Sequence, residues 1–221
     1  MIRAAIATVA EVLLFAGCLF GAAGQLSWPM AWAALGFYSL LKVAAFAFLK
    51  PELLRERAAP GPGVDRGDVV LATLGWLALY PGMFVAAGLD AVRFGPAAPI
   101  PQFAQVAALL VYGLGYGFAF WAVRSNPFFS TFVRIQEDRG HSVISSGPYA
   151  LVRHPGYAGV LLAHLALPFA LGSMWALLPA VLGTAFFVAR TSREERTLCD
   201  QLPGYREYQS RVRWRLVPGV W

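Results

Sequence analysis

Residues 146–159 read Ser-Gly-Pro-Tyr-Ala-Leu-Val-Arg-His-Pro-Gly-Tyr-Ala-Gly, a polar, turn-rich stretch between two long apolar regions. At the far end of the second region stands Arg190-x-x-Arg193-Glu194-Glu195-Arg196. Lipid-embedded chains keep ionisable groups at the ends of their spans unless those groups bind something. Two such clusters at the two ends of one apolar hairpin meet on the same membrane face, and an active site is expected there. Pro155 disfavours helix at His154 and suits the first turn of a helix that begins at the proline. His154 is then placed at a helix amino end, where backbone N–H groups point outward and anions bind. Arg153 beside such an end suits a carboxylate. Either Glu194 or Glu195 can accept hydrogen bonds from the hydroxyls or amine of a ligand. Adjacent helical residues point to different sides, so only one reaches a given atom. The competing reading of both clusters is anchoring, with charged helix ends snorkelling among headgroups. Tyr149, Tyr157, Tyr205 and Tyr208 divide the same way, between interface-belt aromatics and a lining for an organic cation such as a sulfonium.

Other chemistries lack their residues. No Gly-x-Gly-x-x-Gly signals a soluble nucleotide-binding fold. A zinc site wants several clustered His, Cys or carboxylate ligands, whereas His141, His154 and His164 are spread along the chain. No serine has the setting of an activated nucleophile. Cys18 falls in the first apolar run and Cys199 in the polar tail, which predicts neither a disulfide nor a redox site.

The elements that must position these residues are membrane helices. The chain has 221 residues, 58% hydrophobic and only 14% charged, with a mean hydropathy of +0.57. Four runs approach the ~20 residues that cross a bilayer: Ala4–Ala23, Ala31–Leu49, Val69–Leu89 and Phe103–Val123. Breakers bound them at Gly24 with Pro29, Lys50-Pro51, Gly61-Pro62-Gly63 and the Pro96–Pro101 stretch. The first run holds Glu11 and is followed at once by another span, so it reads as a retained helix rather than a signal peptide. Tyr157–Ala189 is too long for one span, and Leu171-Gly172-Ser173 offers a turn in its middle. Splitting it there predicts a tight hairpin of helices about 15 and 17 residues long, roughly 22 and 25 Å, both shorter than the ~30 Å apolar core. The fold class expected is all-α and polytopic. Residues 1–123 supply the spans, and residues 124–221 supply the hairpin and a cytoplasmic tail, with Tyr205–Arg213 a short amphipathic helix beyond Pro203-Gly204.

The charge pattern orients the chain. With Arg3 inside, sixteen of the eighteen basic residues fall on the cytoplasmic side, Arg93 falls outside and Lys42 lies within a span. Anionic headgroups and this asymmetry account for a pI near 9.7, so nucleic acid is not expected as a partner. Glu11 and Lys42 lie at equal depth in adjacent antiparallel spans and are expected to pair. His164, inside the hairpin, is expected to be a buried hydrogen-bonding residue.

At these residues the chain resembles the isoprenylcysteine carboxyl methyltransferase family, which shares its motif with the phospholipid N-methyltransferases. The resemblance lies in Gly147-Pro148-Tyr149, Arg153-His154-Pro155-x-Tyr157-x-Gly159, Glu194-Glu195, Tyr205-x-x-Tyr208 and Arg211 to Pro218, with Gln136 to His141 upstream. It covers about 85 carboxyl-terminal residues, and its several parts stand in order. It implies S-adenosylmethionine bound at the cytoplasmic surface. It also implies a lipophilic or prenylated acceptor, such as an isoprenylcysteine carboxylate or a lipid headgroup, entering from the bilayer. Carried over by position, Gln136, His141, Tyr149, Arg153, His154, Pro155, Tyr157, Glu194, Glu195, Tyr205 and Tyr208 become the cofactor shell. Arg153, Glu195 and Arg211 become the residues that carry the chemistry, with no metal. The Ala- and Arg-rich composition reads as prokaryotic, which places the protein in a plasma or inner membrane. The ending Arg213–Trp221 is also similar to that of the membrane sterol reductases, which use NADPH. Those usually have a longer membrane domain, so methyl transfer is preferred; a non-catalytic lipid-binding subunit is a third reading. Sulfonium methyl transfer is an in-line displacement that mainly needs positioning and exclusion of water. A carboxylate acceptor needs no base; an amine or hydroxyl would, with His141 or a glutamate as the nearest candidate.

Overall fold

The computed structural model describes residues 2–59 and 62–221, with residues 2–4 as backbone only. Gly61 of the expected breaker loop and the Arg3 side chain used in orienting the chain lie outside the described residues. Helices α1 (Ile2–Ala23) and α2 (Pro29–Phe48) are joined by a turn at Gly24, whose φ of 72° suits glycine. Helices α4 (Arg66–Leu77) and α5 (Met83–Gly88) continue into one another through π-helical segments Ala78–Gly82 and Leu89–Arg93, so a single rod runs from Arg66 to Arg93. Pro81 lies within the first wide turn. Helix α6 is Gln102–Ser125. These four rods are long and apolar enough to cross a membrane, and they coincide with the four spans expected. Among the described residues there is no strand.

Two elements differ from expectation. Residues 51–58 form α3 (Pro51–Ala58) where a plain loop was expected. The signals were present: Pro51 at the first helical position, Glu52 in the first turn, and Arg55 and Arg57 in the last. The hairpin exists, with α7 (Pro155–Ala170), a turn at Gly172 (φ 76°) and α8 (Leu177–Gln201). Its first arm has 16 residues, about 24 Å, and is short as expected. Its second arm has 25, about 37 Å, because the helix runs straight on through the charged cluster. Arg190 to Glu195 are therefore carried on rigid helix beyond the apolar zone. Gly204 (φ 81°) then breaks the chain before α9 (Tyr205–Arg211).

Apolar side chains face both inward and outward, as a bilayer solvent allows. Phe15, Leu19, Tyr38, Met83, Phe84, Tyr112 and Leu167 form the core between the helices, while Leu13, Leu40, Val43, Leu110, Leu114 and Val181 are exposed to the lipid side. The hairpin is fixed to the spans at both ends. At its turn, Asp90 accepts hydrogen bonds from Ser173 Oγ at 2.7 Å, Trp175 N at 3.2 Å and Ala97 N at 2.9 Å. Along its length, α7 crosses α6 at a glycine pair. A Cβ on Gly115 would stand 2.7 Å from the Gly159 carbonyl oxygen, and one on Gly159 would meet the Gly115 carbonyl. The Glu11–Lys42 pair forms at 2.6 Å, with Lys42 also over the Tyr38 ring. His164 is fully buried; its Nδ1 donates to Val160 O at 2.8 Å, and its Nε2 is 3.5 Å from the Tyr116 hydroxyl.

Candidate functional site

A polar cleft opens where α7 begins, α8 leaves the apolar zone and the tail folds back. Asn126, Phe128, Phe129 and His141 line it from the connector. Tyr149, His154 and Tyr157 line it from the start of the hairpin, Glu194 and Leu198 from α8, and Leu202, Tyr205 and Tyr208 from the tail. Pro155 takes the first position of α7, so His154 becomes its N-cap residue, with no side-chain cap bond to occupy its ring. The His154 ring stacks on Tyr157, with centroids 5.9 Å apart.

The tail is closed over this end of the hairpin by a buried charge cluster. Arg153 Nε donates to Glu195 Oε1 at 2.5 Å, and Arg153 Nη1 donates to the carbonyls of Val212 and Arg213, each at 2.7 Å. Glu195 also accepts from Gln209 at 3.2 Å and pairs with Arg215. Backbone bonds from Arg153 N to Trp214 O and His154 N to Arg215 O, both 2.9 Å, complete the closure. Burial alone would raise the Glu195 pKa, but the hydrogen bond and charge of Arg153 outweigh it and hold the carboxyl below its usual range.

A second ion-pair layer fastens the connector to the spans. Arg190 forms a forked pair with Asp68, at 2.6 and 3.0 Å, and donates to Thr131 O. Arg134 forms another with Glu56, both contacts at 2.8 Å, and reaches Asp138. Two polar atoms at the cleft have no hydrogen-bond partner although buried: His154 Nε2 and the Tyr205 hydroxyl. Buried polar groups are normally paired, so each marks a place for a ligand atom. Burial lowers the His154 pKa; burial, followed by the charges of Arg134 and Arg139, pushes His141 down to about 4. The His141 ring is therefore neutral at pH 7, and the His154 ring is biased toward its neutral form. Burial raises the hydroxyl pKa of Tyr149, Tyr205 and Tyr208, so these remain donors.

The architecture is shared with a solved protein. The eukaryotic intramembrane Ras methyltransferase, isoprenylcysteine carboxyl methyltransferase, superposes with a TM-score of 0.55 at 18% identity, covering 94% of this chain and 73% of that one. Within this chain, residues 103–202 match the family model named phospholipid methyltransferase. That matched stretch holds α6 after Gln102, the connector, the hairpin and every cleft residue named above except Tyr205 and Tyr208. A curated relative, the Delta(14)-sterol reductase TM7SF2 of Mus musculus, is 34% identical over 101 residues, which are 44% of this chain and 24% of that protein. The chain thus matches about a quarter of the reductase's length.

Of the eleven residues expected to form a cofactor shell, the structure brings His141, Tyr149, His154, Tyr157, Glu194, Tyr205 and Tyr208 to the cleft, with Arg153 at its edge. Glu195 is turned to the tail, and Pro155 acts through the helix start. Gln136 is buried within the connector, donating to Phe128 O and accepting from Arg139. Arg211 is not brought to the cleft: it is exposed on α9, 4.0 Å from Glu207. Sequence reasoning missed Asn126, which donates to the Tyr149 hydroxyl at 3.2 Å, and Phe129, packed on Gly156. The signal for both was the Asn-Pro-Phe-Phe turn at the start of the connector.

Proposed function

We propose that this protein transfers a methyl group from S-adenosylmethionine to a lipophilic acceptor at the cytoplasmic membrane face, as the resemblance of its motif residues implies. The observation that carries the reading is the pair of unpartnered buried polar atoms, His154 Nε2 and Tyr205 OH, in one cleft of a membrane methyltransferase fold. The donor set fits the cofactor. Tyrosine faces suit a cation, neutral histidines and tyrosine hydroxyls suit a polar amino-acid and ribose surface, and Glu194 has one oxygen held by Tyr157 at 2.5 Å. When bound, S-adenosylmethionine supplies an electrophilic methyl on a sulfonium. Arg153 and Glu195 hold the tail, and with it Tyr205 and Tyr208, against the hairpin. Neutral His141, with its pKa near 4, is a weak base at pH 7, which favours an acceptor already ionised.

Calorimetric titration of the purified protein should give saturable binding of S-adenosylhomocysteine and none of NADPH. Tight NADPH binding without any S-adenosylhomocysteine binding would overturn methyl transfer and promote the reductase reading to which the sterol reductase similarity points. The cytoplasmic placement rests on the basic-residue asymmetry. Reporter fusions after Trp221 and within residues 50–59 should read cytoplasmic, and one at Pro96 should read outside. An outside signal from the carboxyl terminus would part the cleft from the cytosolic cofactor.

A further inference from the structure

Around the cleft, guanidinium groups are committed to partners. Arg153 and Arg215 are held by Glu195, Arg190 by Asp68, and Arg134 by Glu56. Arg57, in the last turn of α3, differs. Its Nη1 is buried and has no hydrogen-bond partner. Arg193 Nε shares that description, but Arg193 is paired to Asp65 and its side chain is 42% exposed. The Arg57 guanidinium lies over the Phe129 ring, 5.1 Å from its centroid, and the same ring packs on Gly156 at the start of α7. Phe129 lines the cleft and Arg57 does not. Arg57 lies within electrostatic range of Tyr38 and Tyr80 of the spans, and of Tyr157 and Arg190, which line the cleft.

This position is held deliberately. Thr131 Oγ1 donates to the Arg57 carbonyl at 2.7 Å, and Ser130 Oγ donates to Glu56 at 2.9 Å. With the Arg134–Glu56 fork, these bonds lock α3 onto the connector, so the Arg57 side chain has little freedom to turn back to water. Arg57 as a residue is half-buried, but a cation's N–H sealed from water with its hydrogen bond unmade costs stability unless an anion completes it. Burial lowers the Arg57 pKa, and the Arg190 charge acts in the same direction, so an arriving anion would relieve both.

We propose that Arg57 Nη1 is the binding group for the acceptor's head, and that the acceptor is a lipid carrying a carboxylate or phosphate oxygen. The inference rests on the methyl-transfer reading for the word acceptor, and it adds a specificity residue from a helix outside residues 103–202. Arg57 stands beside Phe129, which lines the cofactor cleft, and near the span tyrosines. A lipid whose chain lies among the spans and whose head reaches the connector meets Arg57 beside the cleft.

The test uses the full chain in a neutral maltoside detergent, titrated with dodecyl phosphate, laurate and dodecanol and followed by tryptophan fluorescence. Wild type should bind both anions at least about tenfold more tightly than the alcohol. Arg57→Gln should lose about 10- to 100-fold for the anions, keep its affinity for dodecanol and stay within about twofold for S-adenosylhomocysteine. Arg57→Lys should recover part of the loss and serves if the glutamine variant does not fold. No anion preference in wild type would overturn the proposal, as would equal losses for lipid and S-adenosylhomocysteine. Competition by inorganic phosphate or acetate at concentrations matching the lipids would also overturn it, assigning the site to a free anion. Anion preference without S-adenosylhomocysteine binding would sink methyl transfer and leave the Arg57 site standing. The reverse pattern would do the opposite.

Discussion

Glu195→Ala is expected to release the carboxyl-terminal tail and to cost about 3–5 kcal/mol, the usual penalty for leaving buried charge without its partner. The side chains of Glu195 and Arg153 are 3% and 5% exposed, so little water can replace the lost carboxylate. Two guanidinium groups, Arg153 and Arg215, would then face each other with no anion between them. Because Tyr205 and Tyr208 line the cleft from the tail, S-adenosylhomocysteine binding should fall with the docking. Limited proteolysis should cut near Pro203-Gly204 in the variant and not in wild type. Wild type should show the same weakness in acid. The Glu195 pKa is lower folded than unfolded, so its contribution is full above the ordinary glutamate range and is lost as pH falls through the depressed value. Arg211→Ala is the control, since Arg211 is exposed and touches neither cleft nor clamp. Unchanged proteolysis and affinity in Glu195→Ala would show that the tail is held by its apolar contacts alone.

The spans were legible in the sequence because a bilayer imposes one requirement, an apolar run of fixed length, and that requirement is local. The helix start at Pro155 and the turn at Gly172 were legible for the same reason: a proline without an N–H and a glycine at positive φ act on their own neighbours. The ion pairs were not. Asp68 and Arg190 are 122 residues apart, and Glu56 and Arg134 are 78 apart, so no spacing rule joins them. Each arginine looked like one more basic residue of the cytoplasmic face. That explanation absorbed Arg57 as well, although the helix signals around it were present. The motif residues were found but divided differently than expected. Arg153 and Glu195 converge, as the hairpin requires, yet they bind each other and the tail, and the cleft-lining motif residues with unmet hydrogen bonds are His154 and Tyr205.

Gly159→Val is expected to be more damaging than any substitution in the cleft, because it acts on the helix that carries the cleft. Helices cross closely in a membrane where small residues let their backbones touch. Here the contact is reciprocal. A Cβ on Gly159 would stand 2.6 Å from Ala119 N, and one on Gly115 would stand 2.8 Å from Ala163 N. These neighbours are backbone atoms, which cannot rotate away as a side chain can, so one helix must move. Overpacking a well-filled core typically costs 1–3 kcal/mol, and a clash with backbone falls at or beyond the top of that range, about 3 kcal/mol or more. Moving α7 also shifts His154 at its amino end and Tyr157 in its first turn, so S-adenosylhomocysteine binding should be lost even in protein that stays folded. Gly117→Ala provides the comparison on the same helix as Gly115. Nothing lies within 4 Å of a Cβ there, and alanine is the better helix former, so stability should be unchanged or slightly higher. Thermal unfolding in detergent reads the first effect and calorimetry the second. If Gly159→Val and Gly117→Ala behave alike, α6 and α7 do not touch at Gly159, and the cleft is positioned by the ion-pair layers instead.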